Sequence, residues 1–306
     1  MISNYNAEMH YAWSHPAKVW VTLWVASSAI ACVQDPSEAS RHGSNVVGDT
    51  GISVTTIKYA HHPTGDLKLD IVRPNPQSNL HRAILLIHGG GWVGGNRKEM
   101  LEIGNYLADK GFLIASVDYR LAPKDPWPAQ LEDVQAAVRY IRAHAKELDI
   151  VADEIGASGV SAGGHLSAFL GSVDQVGAVS SRVQAVCSIS GIHDLNMPLT
   201  QAGETYRIVQ RLIGETTKID KPGRYKASPI NFFDQHTAPT LFIQGKVDPL
   251  VPSTQTEEAE VKLKGLGVPT QAIYVDHMGH GIDPINAPEA KAIDALADWM
   301  RKYLRG

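Results

Sequence analysis

A serine flanked by glycines gives this sequence its clearest potential for chemistry. Ser161 stands at the centre of residues 159–163 (GVSAG), which have the G-x-S-x-G pattern of a nucleophile elbow. In such an elbow a sharp strand-to-helix turn lifts the serine hydroxyl clear of a sheet, and the glycines keep side chains out of the crowded turn. A glycine-rich turn with an inert serine is the alternative, so the serine needs partners.

Two further residues could supply what a serine nucleophile requires, a base for its hydroxyl and an acid to orient that base. Asp248 follows a strand-like run that ends at Gln244, and the carboxyl end of a strand is where open sheets place functional groups. The alternative is an aspartate in a turn. His280 lies between two glycines after the last strand-like run, although His277 competes with it. The chain order Ser161, Asp248, His280 is the order found in one class of serine hydrolases.

A run of glycines could stabilise the oxyanion of an acyl-transfer reaction. Residues 88–92 (HGGGW) directly follow an apolar strand-like run, and successive glycines let backbone N–H groups converge on one point. The N–H of Ala162, after the serine, would be the second donor. A phosphate-binding loop should open a helix and carry a lysine or G-x-G-x-x-G spacing, which this run lacks. We also predict that Trp92 contacts the substrate.

The composition argues against several kinds of partner. The chain has 306 residues, 43% of them hydrophobic, and a net charge of −4. Because no lysine or arginine block stands out, we predict no nucleic-acid partner. The histidines, cysteines and acidic residues show no metal-ligand spacing, so we predict no metal and no cofactor.

Alternating strand-like and helix-like runs must position these residues. Residues 52–59 and 67–72 alternate with a period near two and are joined by a turn, which predicts an antiparallel pair. A long apolar stripe at three-to-four spacing predicts a helix over residues 129–148. Together these runs predict an α/β fold with a mostly parallel, doubly wound sheet of about eight strands and a small helical cap. Continuously apolar runs, typical of strands buried on both faces, occupy residues 83–88, 112–117, 183–189, 240–243 and 271–275.

The N-terminal segment has a different character. Residues 19–31 are apolar, follow Lys18 and precede Cys32; they are too short for a comfortable membrane span of about 20 residues but suit a signal peptide. Residues 29–32 (AIAC) resemble a lipobox. We predict that residues 1–32 are a signal or lipoprotein leader, with membrane anchoring through a lipidated Cys32, and that a bacterial protein would be exported. The alternatives are an N-terminal lid helix and a cytoplasmic location.

The rest of the chain divides into a tether and a catalytic domain. Residues 33–50 are polar and rich in glycine and serine, which predicts a linker. Residues 51–306 carry all the chemistry described above. Within this domain, residues 193–235 show no clear periodicity of apolar residues and are long for a connection, so we predict a cap-like insertion of small helices.

From about residue 52 onward the chain resembles serine hydrolases of the α/β-hydrolase fold. More narrowly, it resembles the esterase and lipase group related to hormone-sensitive lipase and to bacterial feruloyl- and acetyl-esterase-like enzymes. The motifs that carry the resemblance are residues 88–92 (HGGGW), 118–123 (DYRLAP) and 159–166 (GVSAGGHL), Asp248 with Val251 and Pro252, and residues 279–281 (GHG).

This resemblance implies a role for each motif residue. Ser161 would be the nucleophile, His280 the general base and Asp248 its orienting acid. The oxyanion hole would consist of the backbone N–H groups of Gly90, Gly91 and Ala162, with Gly89 as a further contributor. Asp118 and Arg120 would brace the loop near the glycines.

The sequence also departs from one branch of this group. Relatives of hormone-sensitive lipase usually have an acidic residue before the nucleophile, whereas this chain has Val160. The departure favours the feruloyl- and acetyl-esterase-like branch, which also includes enzymes resembling kynurenine formamidase. We therefore expect a serine carboxylesterase that hydrolyses short acyl or acetyl esters of small molecules through an acyl-enzyme. The alternatives are an amide or formamide hydrolase and a non-catalytic binding protein of the same fold.

Overall fold

The computed structural model describes residues 46–47, 53–174, 179–197, 203–215 and 220–305. The predicted leader or lid helix, Cys32 and most of the predicted linker lie outside these ranges, and they stay predictions. Within the predicted linker, Val46–Val47 forms a short strand. No helix in the described ranges is long and apolar enough to span a bilayer.

Nine strands of the described chain form one sheet with the spatial order β1-β2-β3-β5-β4-β6-β7-β8-β9. The first three strands and β5 pair antiparallel, and β4 to β9 are parallel. The predicted mostly parallel sheet with an antiparallel N-terminal pair is thus confirmed. The strands are β1 (Val46–Val47), β2 (Ser53–His62), β3 (Gly65–Arg73), β4 (Ala83–Ile87), β5 (Leu113–Val117), β6 (Ile155–Val160), β7 (Ala185–Ile189), β8 (Thr240–Gly245) and β9 (Thr270–Val275).

Helices connect the parallel strands. One predicted helix, over residues 129–148, is broken at His144, whose Nδ1 bonds to the carbonyl oxygen of Tyr140 at 2.8 Å. Short 3₁₀ turns span Arg97–Met100 and Pro229–Phe232. The α-helices are α1 (Leu101–Asp109), α2 (Ala129–Ala143), α3 (Ala145–Leu148), α4 (Ala162–Ser172), α5 (Gly203–Ile213), α6 (Lys221–Lys226), α7 (Thr254–Gly265) and α8 (Ala287–Tyr303).

Both faces of the sheet are covered by apolar packing, which explains the continuously apolar strands. Every residue of β4 and β5 is buried. Helices α2 and α4 pack on one face, where Val138 and Leu166 are fully buried. Helices α1 and α8 pack on the other face, where Leu107 and Leu296 are fully buried. Because full burial of such a side chain contributes about 1.5–3 kcal/mol, these two layers stabilise the sheet.

The parallel strands bring their carboxyl ends to one edge of the sheet. Strands β4, β6, β8 and β9 are followed there by the glycine run, the serine, the aspartate and the histidine of the predicted site. The helices α5 and α6 lie within residues 193–235, the predicted cap-like insertion.

Candidate active site

Ser161 occupies a strained turn between β6 and α4. Its backbone φ and ψ angles are 59° and −117°, a region that L-residues rarely adopt and that often marks functional sites. Its N–H donates to the carbonyl oxygen of Ile189 at 2.8 Å, and its carbonyl accepts the N–H of His165 at 3.0 Å. Hydrogen bonds on both sides thus hold the turn in the geometry of a nucleophile elbow.

The two glycines of the motif permit a close approach that no other residue allows. A Cβ atom on Gly159 would lie 2.5 Å from the carbonyl oxygen of Ile87, and one on Gly163 would overlap the same oxygen. The elbow therefore packs directly against the end of β4, the strand that leads into residues 88–92. The glycine spacing of the sequence has this packing as its physical reason.

Asp248 and His280 form a partly buried hydrogen-bonded pair. The Nδ1 atom of His280 lies 2.9 Å from Oδ2 of Asp248, and the aspartate side chain is fully buried. Its Oδ1 accepts the N–H groups of Leu250 at 2.8 Å and Val251 at 2.9 Å. Since Nδ1 faces a carboxylate, the proton belongs on Nδ1, which leaves Nε2 free to accept a proton.

The electrostatics of this pair favour an ionised aspartate. Burial alone raises the pKa of Asp248, but the hydrogen bonds from His280, Val251 and Leu250 outweigh it, and the pKa falls below its usual value. A charged carboxylate holds the imidazole in one orientation and would stabilise an imidazolium at His280.

The structure also distinguishes the two competing histidines. His277 is exposed, whereas His280 is the one bonded to Asp248. Both belong to the loop of residues 276–286, here called the base loop. The base loop packs closely on β8, since a Cβ on Gly245 would overlap backbone carbonyl oxygens of this loop. By contrast, a Cβ on Gly279 would have no atom within 4 Å.

The glycine run, here called the glycine loop (residues 88–92), turns sharply after β4. Gly90 and Gly91 have φ angles of 95° and 60°, and the carbonyl oxygen of Gly90 accepts two N–H groups, from Val93 and Gly94, both at 3.1 Å. Such left-handed backbone favours glycine. Helix α5 packs on this loop through Ile208, whose Cγ2 would be 2.8 Å from a Cβ on Gly91.

The side chains of His88 and Tyr119 stabilise the glycine loop. The rings of His88 and Tyr119 stack with centroids 4.2 Å apart. The Nδ1 of His88 bonds to the carbonyl oxygen of Gly89 at 2.8 Å, and the hydroxyl of Tyr119 donates to the His88 carbonyl at 3.1 Å. Burial lowers the pKa of His88, so this ring is a neutral support.

The three predicted oxyanion donors are the backbone N–H groups of Gly90, Gly91 and Ala162. Ala162 begins α4, and the first N–H groups of a helix have no intrahelical acceptor and carry the positive end of the helix dipole. Within the described part of the chain, the N–H groups of Gly90 and Gly91 donate to no backbone carbonyl. Gly89 and Gly90 line the same cavity as Ser161, whereas Gly91 and Ala162 are not among its lining residues. The arrangement can accept a negatively charged oxygen beside the serine.

Trp92 lies elsewhere than predicted. Its side chain is only 1% exposed, and its indole N–H donates to Nδ1 of His165 at 3.2 Å. It does not line the cavity at Ser161, so the indole braces the loop against α4. Its φ angle of 61° turns the chain at this point, which directs the side chain into the core.

The residues of the DYRLAP motif form ion pairs beneath the site. Asp118 accepts hydrogen bonds from the backbone N–H of Arg97 at 2.9 Å and from its guanidinium at 2.7 Å. Arg120 pairs with the buried Asp133 at 2.8 Å. These contacts fix the segments that follow β5 and the glycine loop, in keeping with the structural role that the resemblance implied.

A cavity of about 240 Å³ opens at the serine. Some of its lining residues are those expected to react, and the others are apolar apart from one acid, Glu99, which sequence reasoning missed. Nothing in its spacing separates Glu99 from an ordinary solvated side chain. The first group is Gly89, Gly90, Ser161 and His280, and the second is Glu99, Met100, Ile103, Val160, Gly281 and Ile282.

A mostly parallel sheet, a serine elbow after β6 and an aspartate–histidine pair after β8 and β9 together define the α/β-hydrolase fold. The profile of the BD-FAE family matches residues 69–263, more than half of the chain. The chain therefore belongs to the BD-FAE family.

Curated relatives of the chain are named as esterases. Esterase LipQ of Mycobacterium tuberculosis is 29% identical over 76% of this chain and 58% of its own length. Esterase LipC of the same organism is 29% identical over 69% of this chain and 56% of its own length. The chain thus spans somewhat more than half the length of these relatives.

Solved structures agree with the fold. A truncated carbohydrate esterase from gut microbiota is 28% identical, with a TM-score of 0.71, covering 82% of this chain and 96% of that chain. An esterase from Thermogutta terrifontis with propionate bound is 24% identical, with a TM-score of 0.69, covering 81% and 94%; this second likeness concerns the fold.

Proposed function

We propose that this protein is a carboxylic ester hydrolase in which Ser161 is the nucleophile. The observation that carries the proposal is the convergence of the strained serine, the Asp248–His280 pair and the glycine loop at one cavity. The esterase names of its relatives support the same reaction class.

The reaction proceeds in two acyl-transfer steps. The hydroxyl oxygen of Ser161 attacks the ester carbonyl carbon while its proton passes to Nε2 of His280, and the N–H groups of Gly90, Gly91 and Ala162 donate to the oxyanion. The tetrahedral intermediate expels the alcohol, which takes the proton from His280. Water then attacks the acyl-enzyme by the same route and releases the acid.

The cavity supports short acyl groups as substrates. Its volume of about 240 Å³ lies below the range of roughly 300–1,000 Å³ that is typical of sites for drug-sized ligands. Apolar side chains, including Met100 and Ile103, bound it on one side. An acetyl or butyryl group fits such a space, whereas a long chain would extend beyond it.

The test compares p-nitrophenyl acetate, butyrate and octanoate in the wild type and in Ser161→Ala. We expect kcat for acetate and butyrate to fall by about 10⁴-fold or more in the variant, and a fluorophosphonate probe to add mass to the peptide that contains Ser161 in the wild type alone. Ser253→Ala, a serine at the start of α7 whose hydroxyl bonds to Glu257, is the matched control and should retain activity.

Each alternative has its own outcome. Equal turnover by the wild type and Ser161→Ala would refute the serine mechanism. A higher kcat/KM for octanoate than for acetate would refute the short-chain preference. N-formylkynurenine, added to the panel, tests the amide alternative, which would gain if this formamide had a higher kcat/KM than every ester.

A further inference from the structure

Glu99 places an acidic group in the wall of the proposed active site. It belongs to the 3₁₀ turn Arg97–Met100, between the glycine loop and α1. The cavity that it lines also contains Ser161 and His280. Its neighbours in the wall are apolar, Met100 and Ile103 being buried. Any ester bound with its carbonyl at the serine therefore shares a small space with this carboxylate.

The charge of Glu99 has no cationic partner in the described part of the chain. Arg97, two residues earlier in the same turn, is bound to Asp70 at 2.9 Å and to Asp118 at 2.7 Å. The side-chain contact of Glu99 is with Nδ2 of Asn96 at 3.2 Å. Burial raises the pKa of Glu99, and a backbone hydrogen bond from Asn96 only partly opposes it. A carboxylate without an ion-pair partner can act on a charged group that enters the cavity.

A purely structural role for Glu99 would not require a charge. Asn96 accepts the N–H of Lys98 at 3.0 Å and donates to Glu99, so the two side chains together resemble a reciprocal N-terminal cap. In such a cap glutamine serves as well as glutamate. The cap explains the length and position of the Glu99 side chain, but it does not explain why this side chain is negatively charged.

We propose that Glu99 is a specificity-determining residue that selects esters by charge, disfavouring substrates with an anionic group and favouring those with a cationic one. The inference rests on the proposed ester hydrolysis and names a substrate class for it. Like charges repel, and such repulsion is a common device of specificity. Because Glu99 is exposed to solvent, salt should weaken the effect.

Two matched substrate pairs test the proposal. The alcohol pair is acetylcholine and its neutral isostere 3,3-dimethylbutyl acetate; the acyl pair is p-nitrophenyl hexanoate and the anionic mono-p-nitrophenyl ester of adipic acid. The ratio of kcat/KM for the charged to the neutral member is compared between the wild type and Glu99→Gln. We expect the cation's ratio to fall, the anion's ratio to rise, or both, by about three- to tenfold.

Glu102→Gln is the matched control because Glu102 is exposed on α1, three residues further on, and does not line the cavity. It should leave both ratios unchanged, and Glu99→Asp should keep the wild-type preference. Raising the ionic strength should shrink the discrimination of the wild type, which tests the charge effect without any variant.

The outcomes separate this inference from the proposed function. If the wild type and Glu99→Gln are both active but neither ratio changes by more than about threefold, the inference is overturned and the proposed function stands. The same conclusion follows if the ratios of the wild type do not respond to salt. A wild type that hydrolyses neither these neutral esters nor p-nitrophenyl acetate and butyrate would overturn the proposed function, and this inference with it.

Discussion

Replacing Asp248 with asparagine removes one charge from the site while keeping the shape of the side chain. Oδ1 of Asp248 accepts the N–H groups of Leu250 and Val251, and Oδ2 faces Nδ1 of His280. An asparagine must put its NH₂ group at one of these two positions. At the Oδ1 position it would meet two backbone donors and lose both hydrogen bonds, which costs about 2 kcal/mol or more. The NH₂ group is therefore expected to face His280.

That orientation disables the base. An NH₂ donor opposite Nδ1 stabilises the imidazole tautomer that carries its proton on Nε2, and this tautomer cannot accept the proton of Ser161. It also leaves Nε2 of Gln244, 3.3 Å from Oδ2, facing another donor. From comparable triads we expect kcat to fall by about 10³–10⁴-fold, with a much smaller change in KM because Asp248 does not line the cavity.

The assay is steady-state hydrolysis of p-nitrophenyl butyrate, together with thermal unfolding to show that the variant is folded. Asp276→Asn serves as the control, because Asp276 is an exposed acid in the base loop that pairs with Lys246 at 2.8 Å. It should retain wild-type kcat within a few-fold. A folded Asp248→Asn variant that loses less than about tenfold in kcat would refute the tautomer argument.

Two further predictions concern stability, both measured by urea unfolding. Gly163→Ala should lower the free energy of unfolding by about 3 kcal/mol because its Cβ would overlap a backbone carbonyl. Gly265→Ala, whose Cβ would have nothing within 4 Å, should instead raise the free energy of unfolding by about 0.5–1 kcal/mol. Equal effects of the two substitutions would contradict this packing. Burial lowers the pKa of His165 to about 4 and of His193 to about 3, from 6.5. Because the unfolded chain binds these protons first, stability should fall as the pH drops below about 6.5, with about 2 kcal/mol lost per histidine at pH 5. A free energy of unfolding that is the same at pH 7 and pH 5 would contradict the second prediction.

The sequence was most informative where a backbone constraint leaves a visible residue type. Gly159 and Gly163 are glycines because a Cβ at either would overlap the end of β4, and strands buried on both faces must be apolar throughout. The fold class and the mostly parallel sheet could therefore be predicted. The chain order of Ser161, Asp248 and His280 carried the site, since each residue type alone has a common structural explanation.

Other features depend on contacts that no local pattern records. Glu99 reads as a surface acid in the sequence, and only the packing of its turn beside the glycine loop brings it to the cavity. Trp92 adjoins the glycines in sequence, which suggested a substrate contact, yet its positive φ angle directs the indole toward His165. The placement of β4 between β5 and β6 likewise follows from crossovers that the apolar runs do not encode.

The serine turn and the base loop differ in how well they would tolerate larger side chains. The serine turn is packed so closely against β4 that a single added carbon would not fit at Gly159 or Gly163, whereas Gly279, beside His280, has nothing within 4 Å. A larger side chain could therefore occupy position 279 without disturbing the sheet, provided that His280 still reaches Asp248. Diversification of this architecture toward new alcohols would then start at the histidine side, around a serine turn that has to stay as it is.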